Sequence, residues 1–489
     1  MSAPRLRPYQ ETLIARVRAS LRTHRRSILQ SPTGSGKTVL TAHMIRTAAE
    51  KGMSATFLVH RRELLEQTSR ALRESDVEHG VVAGGRSLTK EIVQIATIQT
   101  LARRLDRVQA PNLLIIDEAH HTAAKSYRTV LDAWPDTYVV GLTATPCRTD
   151  GRGLDDLFSG IVLGPTVQYL TAQGYLAPYR IIAPPSAIDL SGVHRRGGDF
   201  MREELAQAVD RATIVGDAVA HYRKYVQAHA NGRPPTCLVY CVSRAHAHHV
   251  EEAYRAEGID ARYCAGDTPE AERRAIVDGF RRGSPPVIVS VDLFGEGLDV
   301  PGLFAVQLLR PTESLSLHLQ QIGRALRPEA GKEYALILDH VGNSWRHGLP
   351  DDSREWSLEG ERKGRKASEE TAPSIRVCEH CFAVYRVGLL VCPVCGMAPP
   401  ASEKRRGPDV VDGELQEIDP EEHRRRRRWE AAAAAREGLE ALVRHAIKVG
   451  HKAAWAGIYH ATKTGGDRVA SIREAQKLWF QIKREEEVA

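Results

Sequence analysis

Long apolar runs are missing from this sequence. No stretch approaches the roughly 18 consecutive apolar residues of a transmembrane helix, which excludes an α-helical membrane span. The opening residues, Met1-Ser2-Ala3-Pro4-Arg5, lack the apolar segment of a secretory signal, so a cytoplasmic location is expected. Neither sign of charge dominates: 68 Lys and Arg against 61 Asp and Glu leave a net +7, which only mildly favours a polyanionic partner. A disulfide framework is lacking too. Of eight cysteines, four are dispersed at 147, 237, 241 and 264, as small core residues are.

What is present suits two or three domains, because 489 residues exceed one hydrophobic core and 42% of them are apolar. Residues 1–175 alternate helical patterns with short apolar runs at Ala55–Val59, Ile92–Ala96, Leu113–Ile116 and Tyr138–Leu142. Residues 235–345 repeat the style at Cys237–Tyr240, Val287–Val291, Ala305–Leu309 and Tyr334–Leu338. Nearly continuous apolar strands between amphipathic segments predict parallel sheets covered on both faces. The expected organisation is an α/β lobe over 1–175, a second over 176–345 and a charged linker over 346–375. A four-cysteine module over 376–400, a polar tether over 401–423 and a basic helical region over 424–489 follow.

Two motifs carry most of the chemistry. Ser31-Pro32-Thr33-Gly34-Ser35-Gly36-Lys37-Thr38 has the glycines that let backbone N–H groups turn toward phosphates at the start of a helix. The usual phosphate-loop pattern opens with glycine where Ser31 stands here, but its Gly-Lys-Thr end is intact. Lys37 is expected to reach the β- and γ-phosphates of ATP, and Thr38 to ligate Mg²⁺. After the apolar run 113–116 comes Asp117-Glu118-Ala119-His120. Asp117 is the expected Mg²⁺ anchor, Glu118 the base for attacking water, and His120 a link to Thr143-Ala144-Thr145-Pro146. Gln10, in Arg7-Pro8-Tyr9-Gln10, can read an adenine edge; as a residue alone it is equally well a surface glutamine.

In the second lobe, the strand 289–291 leads into a loop bearing Gly297 and Asp299, and Gln320-Gln321-Ile322-Gly323-Arg324-Ala325-Leu326-Arg327 follows. Arg324 and Arg327, three apart, are expected to share one helix face. Arginines brought from a second lobe stabilise phosphate charge only when the lobes meet.

Over residues 5–345 the chain resembles superfamily 2 helicases and translocases of the DEAH-containing kind. That resemblance implies two tandem RecA-like lobes with ATP between them and nucleic acid across their tops. It implies adenine recognition by Gln10, phosphate and Mg²⁺ binding by Thr33, Gly34, Ser35, Gly36, Lys37 and Thr38, and hydrolysis by Asp117, Glu118 and His120. Thr143 and Thr145 match a coupling segment, and Gln320, Arg324 and Arg327 the arginine-finger motif. Gly297 and Asp299 match the loop joining the γ-side of ATP to nucleic acid. His60-Arg61 and Thr97-Ile98-Gln99-Thr100 resemble segments that contact its backbone.

Cys378, Cys381, Cys392 and Cys395 form C-x₂-C-x₁₀-C-x₂-C, a spacing that favours tetrahedral structural Zn²⁺ with a hairpin between the pairs; an iron–sulfur cluster is the alternative. His380 is expected to be a bystander. The module either touches DNA, binds a protein or braces the tail. Downstream, Lys404-Arg405-Arg406 and Arg424–Arg428 offer positive charge, and Trp455 falls at helical spacing from Ile458 and Tyr459 as a core residue does.

The order of a helicase core, a four-cysteine module and a basic tail with Lys452-Ala453-Ala454-Trp455-Ala456 resembles bacterial RadD-type DNA repair proteins. This implies a DNA-linked ATPase acting on single-stranded, forked or branched DNA in repair and recombination, with single-stranded-DNA-binding protein as an expected partner; of the oligomeric states, a monomer is favoured. The alternatives are the motor subunit of a restriction or phage-defence assembly, and a non-motor scaffold switched by ATP. The tail shows no nuclease carboxylate–lysine cluster, so cleavage would fall to a partner. Backbone tracking leaves RNA open as a track.

Overall fold

Alternate residues of a strand face opposite sides of its sheet, so a strand without a polar side needs cover on both faces. The computed structural model shows that arrangement twice. It describes residues 5–148, 152–184, 190, 193–196, 199–209, 218–228, 232, 234–294, 303–360, 375–398, 438–448, 453–464 and 467–488.

The first sheet contains β1 (Arg26–Gln30), β2 (Ala55–Val59), β3 (Gly80–Val82), β4 (Val93–Thr97), β5 (Leu113–Ile116), β6 (Tyr138–Thr143) and β7 (Gly160–Leu163). Their order is β3-β4-β2-β5-β6-β1-β7, and every pairing is parallel. Leu113 and Ile115 of β5 enter one apolar cluster, Leu114 and Ile116 another on the opposite face. Because β6 lies between β5 and β1, Thr143 at its C-terminal end stands between the loops that follow its neighbours. Ligand chemistry collects at such carboxyl ends in an open α/β sheet.

The chain passes to the second sheet between Leu163 and Tyr179. There β8 (Tyr179–Ile182) is followed by a small antiparallel pair, β9 (Arg195–Arg196) and β10 (Asp199–Phe200). Then come β11 (Cys237–Tyr240), β12 (Ala261–Tyr263), β13 (Val287–Ser290), β14 (Ala305–Leu308) and β15 (Ala335–Asp339), in the parallel order β12-β13-β11-β14-β15-β8. Leu238 and Tyr240 pack on one face, Cys237 and Val239 on the other. All four dispersed cysteines are buried.

Part of the segment expected to be a charged linker is built into the fold. It runs back to the first lobe, where the Leu358 carbonyl accepts from Leu154 N at 2.7 Å and Asp155 N at 3.1 Å. Gly360 bridges to Arg152, and Leu358 packs on the first lobe's core. Gly153 makes room: a Cβ there would lie 2.1 Å from the Leu358 oxygen.

The cysteine module is the hairpin β16 (Ile375–Val377) and β17 (Val384–Arg386) with the turns around it. It extends the second lobe at β8 through an Ile182–Ala383 bridge and a bond from Ala183 N to the Phe382 carbonyl at 3.1 Å. Arg386 locks it in place, 3.0 Å from Asp351 and also paired with Asp352.

A separate unit over 401–489 holds three described helices, Leu439–Lys448, Ala453–Thr464 and Arg468–Val488. Leu442, Val443, Ala446, Ala456, Ala475 and Ile482 form their core. Arg424–Arg428, Lys404–Arg406 and the Trp455 side chain lie outside what is described. No described helix is long and apolar enough to cross a membrane.

Candidate functional site

The loop after β1 is shaped by two left-handed glycines, Gly34 (φ +84°) and Gly36 (φ +81°), and the helix Lys37–Glu50 starts from it. Gly36 is needed twice over, because a Cβ would also meet Gln10 Nε2 at 2.7 Å. Gln10 is only 2% exposed, which removes the surface-glutamine alternative. Its Oε1 accepts from Arg7 N at 2.9 Å and its Nε2 donates to the Ser35 carbonyl at 3.4 Å. The Tyr9 hydroxyl donates to the same carbonyl at 2.5 Å. Two neighbours had no sequence signal: the Arg7 guanidinium lies 4.4 Å above the Tyr175 ring, which is 5.3 Å from Tyr9. Of the loop residues, Ser35 is buried and joined to Ser31 by a 2.7 Å hydroxyl bond, while Thr38 is exposed.

Past β5 the chain turns sharply. Glu118 adopts φ +47° and ψ +57°, a left-handed conformation uncommon for a side chain with a Cβ, and is 7% exposed. The Thr143 hydroxyl donates to the Thr145 carbonyl at 2.9 Å. His120 Nδ1, 3.1 Å from that hydroxyl oxygen, is therefore assigned as the donor to it. The same Nδ1 lies 3.4 Å from Glu118 Oε2.

The second lobe meets these groups through the helix Leu315–Ala325, whose cap Ser314 accepts from Leu317 N at 3.3 Å. Gln320 Nε2 donates to Glu118 Oε2 at 3.5 Å, and the hydroxyls of Thr145 and Ser316 are 2.6 Å apart. Gly323 permits the approach, since a Cβ there would lie 2.6 Å from Thr33 Cβ. The expectation that Arg324 and Arg327 share a helix face is corrected. The helix stops at Ala325, and Arg327 lies beyond the cap residue Leu326. Pro328 disfavours helical backbone at the residue before it.

Both arginines still act on Lys37. Burial pushes the Lys37 ammonium below its usual pKa; Glu118 and Asp117 oppose the shift, and Arg324 and Arg327 add to it. Burial also brings Arg327 down to about 10, so it remains charged at neutral pH. Lys37 Nζ donates to the Ser31 carbonyl at 3.2 Å. Three cations and two carboxylates thus converge on the cleft, an excess of positive charge suited to a polyphosphate. Gly297 and Asp299 lie outside the described residues. The segments 60–61 and 97–100 adjoin at the ends of β2 and β4, where Gln99 Nε2 donates to the His60 carbonyl at 3.4 Å.

In the cysteine module, the sulfurs of Cys378, Cys381, Cys392 and Cys395 all lie within 4.8 Å of one another. Two of the separations are 3.6 Å. Tetrahedral zinc with Zn–S bonds of about 2.3 Å requires sulfur–sulfur edges of about 3.8 Å. The donor set fits that ion, and His380 is not part of it.

Comparison with known proteins agrees with this geometry. The family described as "Type III restriction enzyme, res subunit" matches residues 3–148, and "Helicase conserved C-terminal domain" matches 219–329. A 51.5 kDa protein of a Lactococcus phage is 34% identical over 369 residues, covering 76% of this chain and 77% of that protein. A Saccharomyces cerevisiae protein named as the ATP-dependent helicase IRC3 is 31% identical over 70% of this chain, which spans only 52% of it. Among solved structures, a fragment named as the HsdR subunit of a type I restriction enzyme from Vibrio vulnificus YJ016 shares the fold. Its TM-score is 0.55 at 21% identity, over 71% of this chain and 67% of that one. With its paired lobes, its interlobe cleft and these matches, the chain belongs to superfamily 2 of the helicases and translocases, as an ATP-dependent nucleic-acid motor.

Proposed function

We propose that the chain is a DNA-translocating ATPase of the restriction-related kind, working as the motor of an assembly whose other members supply any cleavage. The match of residues 3–148 to the type III restriction subunit family carries this reading. That span holds Gln10, the phosphate loop and the acidic box. The four cysteines are the one group of three or more His, Cys, Asp or Glu donors among the described residues placed to hold a metal, and they do not make a nuclease centre.

In this reading Gln10 holds the adenine edge, while the loop amides of 33–38 and Lys37 hold the phosphates. Thr38 and Asp117 would hold Mg²⁺, which supplies charge neutralisation on the phosphates when bound. Glu118 orients and deprotonates the attacking water, with His120 and Gln320 fixing its carboxylate. Arg324 and Arg327 stabilise the γ-phosphate only in the closed state. Loss of that phosphate lets the lobes part, and closure and opening step His60-Arg61 and the 97–100 segment along the track.

Contacts to phosphates give a sequence-neutral, salt-sensitive motor. ATP turnover is expected to rise on adding DNA. A fourfold increase in salt should weaken the DNA half-saturation constant by about three- to fourfold per phosphate contact. Steady-state ATPase across single-stranded, duplex, forked and branched DNA and RNA, paired with displacement of a third strand from a triplex, tests the proposal. Turnover that no nucleic acid changes sinks it.

A second reading, a repair motor of the RadD kind on single-stranded or branched DNA, is favoured by the docked four-cysteine module followed by a basic tail. Strong preference for branched over linear duplex DNA, and stimulation by single-stranded-DNA-binding protein, would select it.

In either setting the module holds structural Zn²⁺, which contributes folding free energy to a segment too short for its own core. Cys392→Ser is expected to lower bound zinc from about one per chain to a small fraction and expose the 375–398 hairpin to protease. Metal analysis and limited proteolysis read this out. A full zinc complement in the variant rules the ligand set out, and a visible absorption band would indicate iron and sulfur instead.

A further inference from the structure

His121, next to the acidic box, stands between two other imidazoles. Its ring centroid lies 4.2 Å from that of His120 and 5.0 Å from that of His60. The next residue, Arg61, reaches across to the second lobe, donating to the carbonyls of Asp292 at 3.2 Å and Leu293 at 3.4 Å. Asp292 is itself held. Its backbone is left-handed at φ +56°, and its carboxylate is pinned by Arg202 at 2.6 Å and by Arg310.

We infer that His121 is a positioning residue that couples the interlobe contact of Arg61 to Glu118, through three histidine rings in tilted contact. The chain of contacts is continuous. A shift of Asp292 and Leu293 moves the Arg61 guanidinium and, with it, the adjoining His60. The His60 ring presses on His121, and His121 on His120. His120 holds the Thr143 oxygen at 3.1 Å and lies 3.4 Å from Glu118 Oε2, so a turn of its ring re-aims the carboxylate. Close-packed groups pass on small displacements, whereas a gap between them would absorb them. This rests on the proposed DNA-stimulated ATPase, in which His60-Arg61 meets the track.

The test is a double-mutant cycle on DNA-stimulated kcat. His121→Ala and Arg61→Ala are each expected to lower it about tenfold, and the double variant no further than the worse single, because both cut one linkage. KM for ATP should stay within about twofold, since neither residue belongs to the nucleotide pocket. His121→Phe, which keeps a ring, should recover most of the loss. His121→Gln, which keeps polarity without a ring, should not. Multiplying losses in the double variant, or a phenylalanine variant as impaired as alanine, overturns the inference while leaving the motor reading standing. A wild-type chain that no nucleic acid stimulates overturns both.

Discussion

Glu118→Gln is expected to lower kcat for ATP hydrolysis by about 10³-fold, within the range a positioned general base supplies, and to leave nucleotide binding nearly intact. The substitution is close to isosteric. A glutamine keeps an oxygen to accept from Gln320 Nε2, which stands at 3.5 Å, and suits the left-handed backbone no worse than glutamate does. Basicity and charge are what it removes. Loss of that negative charge also ends its attraction for Lys37, whose ammonium burial already disfavours, so ATP affinity is expected to hold or rise. Steady-state turnover beside binding of a fluorescent ATP analogue separates the two effects. A kcat within tenfold of wild type would assign the base elsewhere.

Arg324→Ala should cost about as much, roughly 10³-fold in kcat, the lower end of what an arginine finger contributes. At about 1.36 kcal/mol per tenfold, that is about 4 kcal/mol of transition-state stabilisation. Arg324 is 5% exposed and held against the phosphate loop by the helix whose Gly323 touches Thr33. It is therefore placed before the reaction starts, and little reorganisation dilutes its effect. Arg324→Lys separates position from charge. Lysine retains the cation but lacks the planar fork, so it should restore less than about a tenth of the loss in log units. Lysine at wild-type rate would reduce the role to simple charge neutralisation. Rapid-quench single turnover with saturating DNA is the measurement that isolates the chemical step.

Much of the fold was legible because buried parallel strands advertise themselves. Ala55–Val59, Leu113–Ile116 and Cys237–Tyr240 are apolar on both faces and form strands with those bounds. Strands that break the pattern escaped. The strand β1 reads Arg-Ser-Ile-Leu-Gln, yet four of its five residues are buried, because the polar ones are satisfied inside. Ser27 bonds Ser20 at 2.8 Å and Gln30 donates to the Ala144 carbonyl at 3.0 Å. The short edges β3, β7, β8 and β12 offer three or four residues each, too few for a period to show. At the site, residue types and spacing pointed to Lys37, Glu118 and Arg324, because phosphate and water chemistry dictate them. Arg7, Tyr175 and His121 were not legible, since their places depend on packing between distant segments. The error at Arg327 had a signal, the proline that follows it.

The return of Leu358 and Gly360 to the first lobe has a kinematic consequence. The first covalent passage between the lobes lies between Leu163 and Tyr179, and the docked strap makes a second attachment. A panel held at one point swings in any direction; held at two, it turns only about the line joining them. While Leu358 stays docked, any opening of the lobes would be confined to rotation about that line, as a door is by a pair of hinges. In the proposed motor, two backbone hydrogen bonds and a glycine would then fix the direction of each stroke.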